Sequence, residues 1–418
     1  MPYQHAVGSL GYHDLEGRSG FKLAVLEFED RFFLYVAALW EPVFTILDVT
    51  DPTHPEFVRW VPGPPNTWTI QVQAADGLLI TSLEHIPAGW SDGNRADPAD
   101  GILIWDVSKP DDPRQVGHWV SGGTGTHRNF YAGGRYVHTA TNLPGFQGQL
   151  YGVVDIADPA APVLAGRWWW PGQHEAAGET YTEADLSRMR TGRPFPHGPH
   201  KQHPLSLHGG AYVEGDRVYA PWMRAGLVIL DVSEPTRPTM VSNLSFYPPL
   251  GSSIALHTAV PLPDRGLVLV NSEALNEDCD EPVGFAGIVD VSDETDPVLI
   301  SLFPQPRTPP GYPTRTFCAR GGRFGPHNQH QPQGHPSLAP VTDHVFMTYF
   351  NAGLQVYDIS EPRDPFVAGY YVPDDPPTRR GPLPTTLVTQ AEDVLVDRRG
   401  VIYMSEKNTG IHVLAFDP

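Results

Sequence analysis

The sequence predicts an all-β fold, a seven-bladed propeller of four-stranded blades. Three observations predict it: one phrase recurs along the chain, turn-forming residues are abundant, and the stretches between phrases break into short apolar segments. The phrase reads ILDVTDP from Ile46, ILIWDVSKP from Ile102, VVDIADP from Val153, VILDVSEP from Val228, GIVDVSDETDP from Gly287 and VYDISEP from Val356. A degenerate copy, HVLAFDP, runs from His412 to Pro418. Counted at Asp48, Asp106, Asp155, Asp231, Asp290, Asp358 and Ala415, these are seven copies of one unit, and a repeat at such a spacing signals a solenoid or propeller. The 45 prolines and 41 glycines suit many short strands joined by tight turns.

The fourth unit shows how one blade is built. An apolar stretch from Gly209 to Val213 meets a Gly215-Asp216 turn, and a second strand runs from Arg217 to Trp222. The phrase forms the third strand, Leu227 to Val232, a Ser-Glu-Pro-Thr-Arg-Pro turn follows, and the fourth strand starts at Thr239. Asp and Ser in the phrase can hydrogen-bond their own backbone and Pro presets φ, so the phrase is read as structural and not catalytic. It resembles the LVIVD repeat family, which forms β-propellers, and the resemblance covers nearly the whole chain. That resemblance implies a fold and says little about chemistry.

Unit seven ends before a fourth strand. The segment Tyr3 to Leu10 reads like Pro365 to Tyr371, the fourth strand of unit six, so the N-terminal strand is expected to complete blade seven and close the ring. Closure removes exposed sheet edges. Residues 1–418 are therefore taken as a single domain. Its long links, 171–204, 304–325, 372–386, 85–101 and 274–284, all join strand four to strand one or strand two to strand three. They are expected to lie on one face as lids over a site, since function gathers on loops held by a rigid scaffold.

Composition bounds the partners. Lys and Arg total 28 against 48 Asp and Glu, a net charge of −20, which argues against nucleic acid or an anionic membrane and leaves a small-molecule substrate. No apolar run approaches the roughly 20 residues of a membrane span. The residues after Met1 carry no basic and apolar leader, so a cytoplasmic location is expected. Oligomeric state is not legible. The two cysteines, Cys279 and Cys318, exclude a disulfide scaffold, and a bridge between them is not expected in a cytosol.

The histidines carry the chemistry. Aligning units puts His127, His208 and His257 near the entry of the innermost strands of units three, four and five. In unit six His335 aligns with His208 without a gap, with His327 and His330 as alternates. Units one, two and seven offer Lys22, Thr69 or Gln71, and Glu392. Four imidazoles at one register would converge on the axis and suit a divalent transition metal, Fe first, with Zn, Cu or Mn possible. Strand two ends in Glu84, Glu273 and Glu406 in units two, five and seven. These carboxylates, with Glu392, are expected either to hold the second ring N–H of a ligating His or to act as general base. In arrangement the cluster resembles the carotenoid-cleaving oxygenases, whose propellers hold iron by four histidines with glutamates behind. Selenium-binding-protein-type thiol oxidases are a second comparison. The resemblance implies an oxidoreductase or oxygenase acting on a small apolar or aromatic substrate. A Lewis-acid lyase, isomerase or hydrolase and a non-catalytic protein-binding scaffold are the alternatives.

Other features read as structural. His197, His200 and His203 are taken as part of a Pro-rich lid, Trp168 to Trp170 as packing, and Glu277, Asp278 and Asp280 as a solvated acidic loop. There is no Gly-rich phosphate loop and no Gly-x-Ser-x-Gly elbow, which leaves nucleotide-dependent and serine-hydrolase chemistry without support.

Overall fold

The aspartate of each phrase makes the same local bond. Asp48 accepts the N–H of Thr50, Asp106 that of Ser108, Asp155 that of Ala157, Asp231 that of Ser233, Asp290 that of Ser292 and Asp358 that of Ser360, all at 2.8–2.9 Å. Each phrase thus ends its strand in the same turn, which confirms its structural role. In every unit that carries Asp, a register shift follows in the pairing of the phrase strand with its outer neighbour, for example between Ile46 and Leu47 and between Ile229 and Leu230.

In the computed structural model the described residues are 2–86, 98–190, 204–248, 250, 252–282 and 284–418. The fold is an all-β propeller built of four-stranded sheets. Unit four runs Tyr212–Glu214, Arg217–Trp222, Gly226–Asp231 and Thr239–Leu244, as the sequence predicts. Unit one (Leu23–Phe28, Arg31–Ala37, Val43–Asp48, Glu56–Pro62) and unit five (Ile254–Leu262, Leu267–Glu273, Ala286–Asp290, Val298–Leu302) follow the same order. Units two and three merge into one nine-stranded sheet because Gly125 pairs with Glu84 across their boundary.

The N-terminal segment does two jobs where one was expected. Tyr3–His5 adds to the outer strand of unit six, Phe366–Val372. The chain then crosses at Ala6, whose φ is +53°, and Val7–His13 becomes the outer strand of unit seven, paired from Val7 with Phe416 to His13 with Ile411.

Neighbouring sheets bury apolar faces against each other. Leu23, Val25 and Leu34 of unit one pack with Tyr403, Ile411 and Val413 of unit seven. Val7, Val356 and Tyr371 join Val394, Met404 and Leu414 between units six and seven. Outer strands are the exposed ones, with Phe57, Trp60, Val163, Met240 and Val298 open to solvent.

Three of the long links interlock. Link 274–284 is bridged to link 304–325 by a Cys279–Cys318 disulfide, the single bridge that two cysteines allow and that was not expected in a cytosol. Link 372–386 joins them where Thr385 N–H donates to Glu277 at 2.9 Å. The expectation that long links occupy one rim needs an addition. In unit six the inner segment pairs with His344–Thr348 at His327 and His330, and the chain detours through 331–343 before that strand begins. Leu338 there pairs with Asp397, at the hairpin turn of unit seven, on the rim opposite the interlocked links. Residues 87–97 and 191–203, including His197, His200 and His203, lie outside the described residues.

Removing residues 2–13 takes one strand from unit seven and exposes the edge of Gly410–Phe416. The truncated protein is expected to melt at a lower temperature and to aggregate. A thermal melt with light scattering checks this, and an unchanged melting temperature contradicts it.

Candidate metal centre at the propeller axis

Two glycines let the inner strands come close enough to form a site. A Cβ on Gly209 would lie 1.3 Å from the carbonyl oxygen of His257, so only glycine can seat His208 beside His257. Gly125, at φ +101°, stands where a Cβ would lie 2.1 Å from the Leu83 carbonyl oxygen and 2.8 Å from Glu84 Cα, and it sets His127 against Glu84.

The outcome is an arc of four imidazoles. The rings of His127 and His208 stack with centroids 4.2 Å apart, His208 meets His257 at 5.5 Å, and His257 meets His327 at 5.0 Å. All four are buried. Glu273, only 5% exposed, sits among them. Its Oε2 lies 3.4 Å from His208 Nε2 and 3.5 Å from His257 Nε2, and its Oε1 lies 3.6 Å from His327 Nε2.

Outer partners fix the rings. His127 Nδ1 donates to Glu84 Oε2 at 2.6 Å, and Gln149 steadies the other oxygen of Glu84 at 2.9 Å. With the proton on Nδ1, the Nε2 lone pair of His127 faces inward. His257 Nδ1 bonds the Thr258 hydroxyl at 2.8 Å, and His327 Nδ1 lies 3.0 Å from Glu392 Oε2. Lys407 holds Glu392 Oε1 at 2.7 Å, and Arg323 reaches both Glu273 and Glu392 at 3.3 and 3.4 Å.

Burial governs the charges. It pushes the pKa of His127 and of His257 well below the usual imidazole range, helped by the neighbouring imidazoles and Arg128. Burial alone would raise Glu273, but His327, His257 and His208 outweigh it and hold that carboxyl well below its ordinary value. Glu392 is likewise brought down to about 2 against burial, first by Lys407 and then by His327 and Arg323.

Within the cluster, His127 Nε2, His257 Nε2, His327 Nδ1, Glu273 Oε2 and Glu392 Oε2 have no hydrogen-bond partner. Buried polar atoms are nearly always satisfied, and the unpartnered His257 Nε2 and Glu273 Oε2, 3.5 Å apart, form a pair of acceptors that would suit a cation. Around a tetrahedral ion with bonds of about 2.1 Å, ligand atoms lie about 3.4 Å apart. The spacing of Glu273 Oε2 from His208 and His257 matches, and these three residues could together hold a metal ion.

Of the residues expected from sequence, His127, His208, His257, Glu84, Glu273 and Glu392 come together, with His327 in place of His335. His335 is corrected: it sits on the detour 331–343, where its Nδ1 accepts the Ser337 N–H at 3.2 Å near Asp76. The gapless alignment failed because that detour separates the inner segment from the second strand. His330 is also structural, its ring fixed between Ala339 O at 2.7 Å and Val396 N at 3.1 Å. Glu406 is corrected as well: its oxygens accept the backbone N–H groups of Gln390, Asn408 and Thr409 and brace a turn. Arg128, Arg323 and Lys407 were missed; only the adjacency of Arg128 to His127 gave a signal.

A family model described as LVIVD repeat matches residues 32–61, 145–168 and 212–245, within units one, three and four. The chain carries LVIVD repeats. No curated protein matches the sequence. Among solved structures, a periplasmic gluconolactonase of Pseudomonas aeruginosa is similar at 9% identity, with a TM-score of 0.54 and all of both chains covered. That likeness shows the fold alone. A computationally designed protein, Ika8, is similar at 9% identity with a TM-score of 0.48, covering 97% of this chain and 99% of its own.

Histidines outside the centre give a pH prediction. Burial pushes His138, His330 and His412 down to about 4. Unfolded, each takes a proton near pH 6.5 and the folded state does not, so their contribution is complete above pH 6.5 and is lost as pH falls toward 4. Urea unfolding is expected to show stability declining over that window, by up to about 1.4 kcal/mol per pH unit for each histidine. His138→Asn reduces the slope by about one proton; an unchanged slope rules this account out.

Proposed function

We propose that His208, His257 and Glu273, with His127 and His327 beside them, hold a divalent transition metal, and that the protein is a metal-dependent enzyme acting on a small molecule. The observation that carries this reading is the buried group of His208, His257 and Glu273, whose ligand atoms lie within 4.8 Å of one another, with His257 Nε2 and Glu273 Oε2 unpartnered. It rests also on a further reading, that the seven units close into one ring and bring four inner strands to a common axis. Sheet packing between units seven and one supports closure.

A bound ion supplies Lewis acidity or a nucleophilic water at neutral pH. The protein's own groups do the rest. Glu84 sets the tautomer of His127 and raises its basicity, and Glu392 places its charge 3.0 Å from His327 Nδ1. Arg323 and Lys407 keep Glu392 ionised. Glu273 would help hold the ion or, as a free carboxylate, accept a proton from a substrate or water. The interlocked links 274–284, 304–325 and 372–386 cover this end and limit water.

Polar surroundings favour the Lewis-acid form, a hydrolase, lyase or isomerase, over the expected oxygenase with an apolar substrate. The cavity beside the histidines is walled by Lys22, Gln71, Gln73, Arg128 and Asn129. The gluconolactonase with the shared fold is named for hydrolysis, which is compatible with this form. Oxygen chemistry is the second reading, favoured by the four-imidazole set with carboxylates behind, which suits iron. The bridge at Cys279 and Cys318 favours an oxidising compartment over the cytoplasm. Nucleic acid is excluded from the proposal by the −20 charge.

Elemental analysis of native protein is expected to give about one metal ion per chain. His208→Ala and His257→Ala each lower occupancy at least tenfold, whereas His335→Ala retains it. Zinc or another redox-inert ion supports the Lewis-acid form, and iron or copper with O₂ uptake supports the second reading. Folded protein that neither contains nor takes up any metal removes both and leaves a binding scaffold.

A further inference from the structure

Arg128 follows His127 on the inner strand of unit three and is 3% exposed. Its neighbours among the cations are paired: Lys22 Nζ lies 2.7 Å from Asp393, Lys407 2.7 Å from Glu392, and Arg323 3.3 Å from Glu273. Arg128 has no carboxylate within 4.0 Å among the described residues, and its Nε and Nη1 make no hydrogen bond. Its guanidinium stands 5.2 Å over the Phe21 ring, and since it cannot shed its charge at neutral pH, burying it with a ring but no carboxylate is costly. A stable protein keeps such a group when something is meant to meet it.

The space it faces is built for a polar ligand. A narrow cleft lies against Arg128, Lys22, Gln71, Asn129 and the backbone of Gly209 and Gly210, with Phe130, Tyr212 and Ala259 completing its lining. The side-chain amide of Asn129 and the carbonyl of Gln71 are also buried without partners. Gly210, at φ +88°, stands where a Cβ would touch the Arg128 side chain at 2.9 Å, so the wall is bare at that point. The guanidinium fork matches the two oxygens of a carboxylate, and Asn129 adds a donor beside it.

We propose that this cavity is an anion-binding site in which Arg128, with Asn129 and the Lys22–Asp393 pair at its edge, holds the carboxylate of a small organic acid. His127 precedes Arg128, and His208 precedes Gly209 of the cavity wall, so the anion site adjoins the proposed metal centre. That this acid is the enzyme's substrate rests on the proposed metal centre; the anion site itself does not.

The test uses the full chain after metal removal with a chelator, and again after metal is restored, at constant ionic strength. Phenylglyoxal labelling of Arg128, followed by peptide mass analysis, is expected to slow at least fivefold with saturating succinate and to be unaffected by uncharged succinamide. Binding of succinate, measured calorimetrically, is expected to weaken at least tenfold in Arg128→Gln and less in Arg128→Lys, while metal content is unchanged in both. Equal labelling rates with and without succinate, or protection by sulfate but not succinate, overturn the proposal. Because labelling is read on the wild-type chain, a variant that fails to fold does not decide the result. Loss of metal in His208→Ala with succinate protection intact separates this site from the metal centre.

Discussion

A carboxylate with almost no access to water, Glu273, is the constraint on which the axial site depends. Stripping an ionised carboxylate of its solvent costs several kcal/mol unless charges or donors replace the water. Three imidazoles and Arg323 approach it, yet none lies closer than 3.3 Å. The replacements come from separate places: His208 from unit four, His257 from unit five, His327 from unit six and Arg323 from the link before it. Keeping Glu273 charged therefore requires the units to pack in order, and site and scaffold stand or fall together.

The same logic spreads outward. Arg323 is shared between Glu273 and Glu392, Lys407 takes the other side of Glu392, and Lys22 answers Asp393. Glu392 and Asp393 lie on the inner strand of unit seven, and Lys22 opens unit one, so this chain of pairs crosses the junction of the first and last units. The disulfide and the Glu277 contact tie down the links from which Arg323 enters. Such a network orders the cap as well as the charges, since removing one partner leaves another buried and unmatched.

Much of this is legible in the amino-acid sequence. The phrase sets the register that places His127, His208 and His257 together, and Glu84 and Glu273 come from the ends of second strands in the same register. Errors arise where the register breaks. Thirteen residues of detour, 331–343, move His335 to the far rim and leave His327 at the axis, although His327 was among the alternates. Glu406 shares the strand-end position of Glu84 and Glu273, but unit seven turns tightly after it and its oxygens are consumed by backbone N–H groups. Arg128 and Lys407 stay out of reach because cations give no periodic signal, and their meaning depends on which carboxylates lie within a few ångströms.

By itself the sequence determined the repeating blade, because each copy of the phrase encodes its own turn through an aspartate bonding two residues ahead. A bond so local needs no distant partner and survives in any context. It also determined that histidines occupy the inner positions of successive units. Tertiary structure alone decided which of them meet, which carboxylate stays ionised among them, and that Tyr3–His5 and Val7–His13 serve different units. Those outcomes turn on the lengths of links and on close approaches such as Gly209 to His257, distances that arise only when strands far apart in the chain are packed against one another.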